Sequence, residues 1–186
     1  MNRSKLSVLI LLLFLFASCK KTESTSAVIP IPNGDFENWT MQQPDNWRTN
    51  SCPLCLPPYE TYIVQQTASA YTGQYCARLL YNSVYRTYAI NSFALTDHPV
   101  ALHAYVKADI IAGDTVAIEI NLLKNSAVAD NGRWLQAASI SNFTEIVIPL
   151  SQNSPTIDSV SIKILGGYKN ASQTSSLWVD NMYLEK

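Results

Sequence analysis

From residue 31 onward, apolar residues recur at alternate positions in one segment after another, and no segment sustains a 3.6-residue repeat. A period of two puts successive side chains on opposite faces of an extended chain, so each segment is predicted to be a half-buried strand. The clearest is Thr115–Lys124, with Val116, Ile118, Ile120 and Leu122 inward and Glu119 and Asn121 outward. Val100–Ile110 is a second long strand. Further strands are predicted over 35–39, 59–67, 74–81, 84–95, 133–140, 144–150, 157–165 and 177–185. Turn residues separate them: Pro44-Asp45-Asn46, Tyr71-Thr72-Gly73, Ala112-Gly113-Asp114 and Asp130-Asn131-Gly132. The Asn131-Gly132 pair reads as a hairpin turn, which would leave Trp134 near its tip. The total is about nine or ten strands, which points to an all-β antiparallel sandwich.

The first 30 residues do not follow this pattern. Asn2-Arg3-Ser4-Lys5 is basic, and Leu6–Phe16 is apolar apart from Ser7. That run is too short to cross a bilayer, which takes about 20 apolar residues. Ala17-Ser18 then supplies small residues before Cys19. Residues 1–18 therefore read as a lipoprotein signal peptide, with Cys19 the lipidated first residue of the mature chain. Residues 19–30 read as a polar tether, and residues 31–186 as one domain. Cleavage removes Arg3 and Lys5 from 13 basic residues, leaving 11 against 14 acidic ones. With no basic stripe in the folded part, nucleic acid is excluded as a partner. The expected location is the cell envelope, as an outer-membrane lipoprotein that is periplasmic or surface-exposed.

Three cysteines remain after lipidation: Cys52, Cys55 and Cys76. In an oxidising compartment an odd number leaves one thiol over. A Cys55–Cys76 bridge is expected, since it would pin a Pro-rich loop to a strand. The alternative is a zinc site built on Cys52-Pro53-Leu54-Cys55, completed by Cys76 with His98 or His103.

Two motifs frame the domain. Asn33-Gly34-Asp35-Phe36-Glu37-Asn38-Trp39 and Pro44-Asp45-Asn46-Trp47 open it, and Trp178-Val179-Asp180-Asn181-Met182 closes it. Tyr105-Val106-Lys107 and Gly113-Asp114-Thr115-Val116 lie between. In this order they resemble the galactose-binding-like jelly rolls, the fold of many carbohydrate-binding modules. Phe-Glu-x-Trp and Pro-Asp-x-Trp on a lipoprotein are most similar to a carbohydrate-metabolism domain on surface lipoproteins of glycan-foraging Gram-negative bacteria. The resemblance implies an antiparallel jelly-roll β-sandwich whose first and last strands meet. It also implies a structural Ca2+ between them, with Glu37 and Asp180 as ligands and Asp35 nearby. The other reading of these carboxylates is that they hydrogen-bond the strand ends.

Sugar binding calls for aromatic faces with polar neighbours. Trp134 is the leading candidate platform, with Arg133, Trp47, Tyr59, Tyr85, Arg86, Tyr88 and Tyr168 as further ligand-binding candidates. Core packing is the competing role of Trp47 and Trp134. Trp39 and Trp178 read as core, because Met182 and Leu184 share the phase of Trp178. No catalytic set emerges: His98 and His103 stand in no triad or metalloprotease spacing, and Asp35, Glu37, Asp45 and Glu60 make no evident glycosidase pair. The expected function is non-catalytic binding of a glycan or cell-surface polysaccharide. The alternatives are a structural or adhesion subunit in a surface protein complex and, more distantly, a glycan-processing hydrolase.

Overall fold

The computed structural model describes residues 27–56, 63–81, 87–151, 156–167 and 175–186. Within them the strands are β1 (Val28–Pro30), β2 (Trp39–Thr40), β3 (Gln43–Pro44), β4 (Arg48–Thr49), β5 (Val64–Thr67), β6 (Cys76–Tyr81), β7 (Tyr88–Ala94), β8 (Ala101–Asp109), β9 (Val116–Lys124), β10 (Ala127–Gln136), β11 (Ile140–Pro149), β12 (Ser159–Leu165) and β13 (Ser175–Glu185). One sheet runs β11-β8-β13-β6-β5, with β1 added to the far end of β13. The other runs β10-β9-β12-β7-β4, and β2-β3 is a separate short hairpin. All pairings are antiparallel. This is the all-β antiparallel sandwich expected from the alternation, in the jelly-roll form that the resemblance implies.

The core lies between the sheets. The β9 and β12 wall presents Ile118, Ile120, Ile162 and Ile164, all fully buried. The β8 and β6 wall answers with Leu102, Val106 and Leu79 interspersed with the smaller Ala104, Ala108 and Ala77, also buried. Mixing large and small side chains lets the layers interdigitate at crystal-like density. Burying each isoleucine is worth about 1.5–3 kcal/mol, so a one-residue slip of any central strand would be heavily penalised.

Four expectations are corrected. Residues 35–39 are not the first strand: Pro32–Asp35 is a turn and pairing starts at Trp39. Phe36 takes φ 53° there and drops a fully buried ring into the core, 5.0 Å from Trp47.

Asn131-Gly132 does not make a hairpin turn. It sits inside β10, where Gly132 pairs with Ile120. The turn between β9 and β10 is Asn125-Ser126, both at positive φ (50° and 67°), as a type I′ hairpin requires. Gly132 is needed for packing: a Cβ would stand 2.6 Å from Ile148 Cγ2, where β10 meets β11 of the other sheet.

Trp178 does not share a face with Met182 and Leu184. A bulge between Asp180 and Tyr183 inserts one residue opposite β8, and Asn181 takes φ 46° to make it. Met182 and Leu184 point inward, and Trp178 points outward.

The bridge is Cys52–Cys55, with Cα atoms 5.4 Å apart, not Cys55–Cys76. A tight turn, with Cys55 N–H donating to Cys52 O, brings the two close. Cys76 is a buried free thiol whose Sγ donates to Ser69 O. The bridge also removes Cys52 and Cys55 from any zinc set.

Candidate functional site

The two end motifs come together as a clasp. Asn33 staples the first: its Oδ1 accepts from Asn38 N (3.0 Å) and its Nδ2 donates to the carbonyls of Asn38 (2.9 Å) and Asp45 (2.8 Å). Pro44–Trp47 is the expected β-turn, closed by Trp47 N–H to Pro44 O at 3.1 Å. Gly34 lets the motif touch the last strand: its carbonyl accepts from Met182 N at 2.8 Å, and a Cβ would stand 2.4 Å from Met182 O.

From these two anchors, Glu37 and Asp180 reach one loop. Glu37 Oε1 accepts the amides of Gln74 (2.8 Å) and Tyr75 (3.0 Å). Asp180 Oδ2 accepts those of Tyr71 (2.7 Å) and Thr72 (2.9 Å), while its Oδ1 takes Asn181 N at 2.7 Å. Burial, the largest influence on it, pushes the Asp180 carboxyl up; the three amides pull the other way. Asp35 Oδ1 is turned to Glu37 N at 3.5 Å. These oxygens face N–H donors where calcium needs a shell of oxygens, so the arrangement does not fit the expected ion. Among the described residues no three His, Cys, Asp or Glu side chains converge as a metal site.

The clasped loop carries Tyr71 onto the outer face of the β8–β13 sheet. The rings of Tyr71 and Tyr105 stack, with centroids 3.7 Å and planes 9° apart. Phe143 stands 6.1 Å from Tyr71, and Tyr71 is 43% exposed. The hydrogen bond with Tyr71, followed by burial, pushes the Tyr105 hydroxyl up to about 12.

Strand register places the rest of the face. Gln65, Arg78, Trp178 and Lys107 form a row across β5, β6, β13 and β8. The Arg78 guanidinium carbon and Lys107 Nζ lie over the Trp178 ring, 4.8 and 4.9 Å from its centroid. One pleat away stand Asp180 and Tyr105. Beyond the bulge, Tyr183 stacks on His103 at 4.7 Å. His103 Nδ1 lies 2.9 Å from Glu145 Oε1, and its Nε2 3.1 Å from Glu185 Oε2. Tyr183 OH donates to Glu145 Oε1 at 3.0 Å. The contact with His103, helped by Tyr183, holds the Glu145 carboxyl below its ordinary range. The face therefore has a cationic end, a tyrosine–phenylalanine platform and an acidic end.

The expected ligand-binding residues do not converge there. Trp134 pairs with buried Ile118 and packs against the core at the edge of the other sheet. Arg133, its neighbour, points to the opposite face and meets Glu119 at 3.4 Å, so the two cannot share a site. Trp47 is core, 4% exposed, with Nε1 donating to Asn33 O. Tyr88 lies on the outer face of the β9–β12 sheet, paired with Leu165. Tyr59, Tyr85, Arg86, Tyr168 and Cys19 lie outside the described residues. The platform residues stand out less in the sequence than the loops and tryptophans do, because they come from separate segments. One signal was present: the polar phase of Val100–Ile110 reads His103, Tyr105, Lys107, three large ligand-capable side chains on one face.

The sequence matches no family model and no curated protein. Among solved structures, TmCBM61 in complex with β-1,4-galactotriose aligns over 84% of this chain and 97% of its own, at 12% identity and a TM-score of 0.52. A cyclase from Fischerella sp. TAU aligns over 86% and 96%, at 15% identity and 0.53. A structure addressing the promiscuous specificity of carbohydrate-binding modules of the β-sandwich superfamily aligns over 87% and 62%, at 14% identity and 0.50. The likeness is one of fold: the chain shares the β-sandwich of these modules, on which different functions are built.

Proposed function

We propose that this chain is a non-catalytic glycan-binding module on a lipid-anchored cell-envelope protein, and that it holds a glycan or cell-surface polysaccharide on the outer face of the β8–β13 sheet. The observation that carries the reading is the exposed Tyr71 ring, seated flat on Tyr105 with Phe143 beside it. Sugars present C–H faces to such rings and hydroxyls to the surrounding polar groups. The fold neighbour TmCBM61, crystallised with a galactotriose, supports a glycan as the class of ligand.

The non-catalytic part rests on the carboxylates of this face. Glu145 and Glu185 are both engaged by His103 rather than opposed across an open cleft. Lipid anchoring and an envelope location rest on the signal-like segment that ends at Cys19.

The test is a glycan-array and affinity-electrophoresis screen of the purified full chain beside Tyr71→Ala and Phe143→Ala. Binding retained by the parent and lost in Tyr71→Ala supports the reading. A folded chain that retains no glycan overturns it.

A second reading, a protein-binding subunit, draws on a different surface. Met41, Leu54 and Leu56 are 68%, 71% and 81% exposed beside the Cys52–Cys55 turn. Cross-linking that captures an envelope protein, and is abolished by Leu54→Asp and Leu56→Asp, would favour it.

A further inference from the structure

The cationic end of the aromatic face is built for something the platform alone does not need. Arg78 and Lys107 flank Trp178 from the two adjacent strands, one over each neighbouring register position. Both sit close over its ring. The ion pairs found among the described residues involve His103, Arg133 and Lys186, and neither Arg78 nor Lys107. Arg78 donates to Ser176 Oγ at 3.0 Å, and its Nε is buried without an acceptor among the described residues. A part-buried guanidinium with no counter-charge among the described residues is costly unless an anion joins it.

Among the described residues the nearby acids are otherwise engaged or turned away. Asp180 is fully buried and holds the amides of Tyr71, Thr72 and Asn181. Asp109, two positions beyond Lys107 on β8, is exposed and forms no ion pair with it. Glu145 and Glu185 are held by His103 at the opposite end. The formal net charge of the chain is −1, so attraction for an anion is local to this row.

We infer that the glycan is acidic, with a carboxylate or sulfate group received between Arg78 and Lys107 while an adjoining sugar lies on the Tyr71 platform. This rests on the proposed function and adds the ligand's charge. The spacing suits it: the Trp178 row and the Tyr105 row are one pleat repeat apart, about 7 Å along the strands. Arg78 offers planar paired donors and Lys107 a mobile point charge, a combination suited to an anion of either shape.

The test uses two polymer pairs: polygalacturonate with its carboxyl-reduced form, and a sulfated galactan with its desulfated form. Each is titrated against the parent chain, Arg78→Gln, Lys107→Gln and the double variant, at low and high salt, with thermal unfolding as a fold check. The expected result is preference for one or both acidic polymers, weakened roughly tenfold or more in the double variant and by added salt. Preference for polygalacturonate alone identifies a uronate ligand, and preference for the sulfated galactan alone a sulfate ester. Equal binding of acidic and neutralised polymers, unchanged in the variants, overturns the inference and leaves glycan binding intact. Failure of the folded parent to bind any of the four overturns the inference, and the glycan array separately decides the proposed function.

Discussion

Asp180 Oδ2 accepts the Tyr71 N–H at 2.7 Å, so the last strand of the fold holds the ring most exposed on the candidate binding face. The carboxylate thereby joins fold closure to site geometry. Glu37, from the first motif, grips the same loop three residues further on through Gln74 and Tyr75. A motif pair that looks like a metal bridge acts here as a two-handed grip on backbone amides.

Removing that grip should cost both stability and binding. Asp180→Ala strands three amide donors and is expected to lower unfolding free energy by roughly 2–4 kcal/mol in urea titrations. Glycan affinity should fall with it. Tyr71→Ala should lower affinity while moving the urea midpoint less than Asp180→Ala does, because it gives up one stacking contact with Tyr105 and strands no amide. A calcium chelator should leave the thermal midpoint of the parent unchanged, since amides, not an ion, satisfy the two carboxylates.

Asp180 and Glu145 should respond oppositely to pH. The folded state raises the Asp180 carboxyl above its ordinary value of 3.8, so the native chain holds that proton to higher pH than the unfolded one. Stability from this group therefore falls as pH rises through the window above 3.8, and Asp180→Asn should flatten that fall. Glu145 is shifted the other way, chiefly by His103. Its contribution is present above the ordinary glutamate range and lost as pH drops through the lower folded value. Glu145→Gln should flatten the acid limb by less than about 1 kcal/mol, the pair being solvent-screened. Urea midpoints measured from pH 3 to 8 check both.

Two glycines with the same backbone preference should differ in cost. Gly73 has φ +69°, and a Cβ there would stand 2.2 Å from Glu37 Oε1. Gly113 has φ +86° and open space around it. Gly113→Ala should cost about 1 kcal/mol, the price of the left-handed backbone alone. Gly73→Ala should exceed that, because the Glu37 grip must also yield. Paired thermal melts read the difference.

The β9–β10 hairpin holds a correctable strain. Ser126 sits at φ 67° in a two-residue turn that favours glycine at its second position. Ser126→Gly should raise stability by about 0.5–1 kcal/mol, seen as a higher thermal midpoint.

The leftover cysteine should be inert. Burial first, then the nearby Asp180 charge, pushes the Cys76 thiol up to about 12. Iodoacetamide at pH 8, followed by peptide mapping, should leave Cys76 unmodified in the native chain and label it in urea. Peptide mapping without reductant should recover Cys52 and Cys55 as one linked fragment.

The alternating pattern by itself determined the fold class, because burial on one face repeats every second residue whatever the partner strand. That Glu37 and Asp180 belong to two ends that meet came from the resemblance of the end motifs to galactose-binding-like jelly rolls, not from the alternation. Which face each tryptophan takes was a matter for tertiary structure. A single bulged residue at Asn181 reverses the phase between Trp178 and Met182, and periodicity carries no mark of a bulge. The same holds for Asn131-Gly132, a turn signal locally and a packing gap in the folded chain, because the Ile148 side chain that excludes a Cβ comes from the opposite sheet. The candidate face likewise exists only once Tyr71, Trp178, Tyr105 and Phe143 are brought together, and those positions are distant in sequence and adjacent only through the fold.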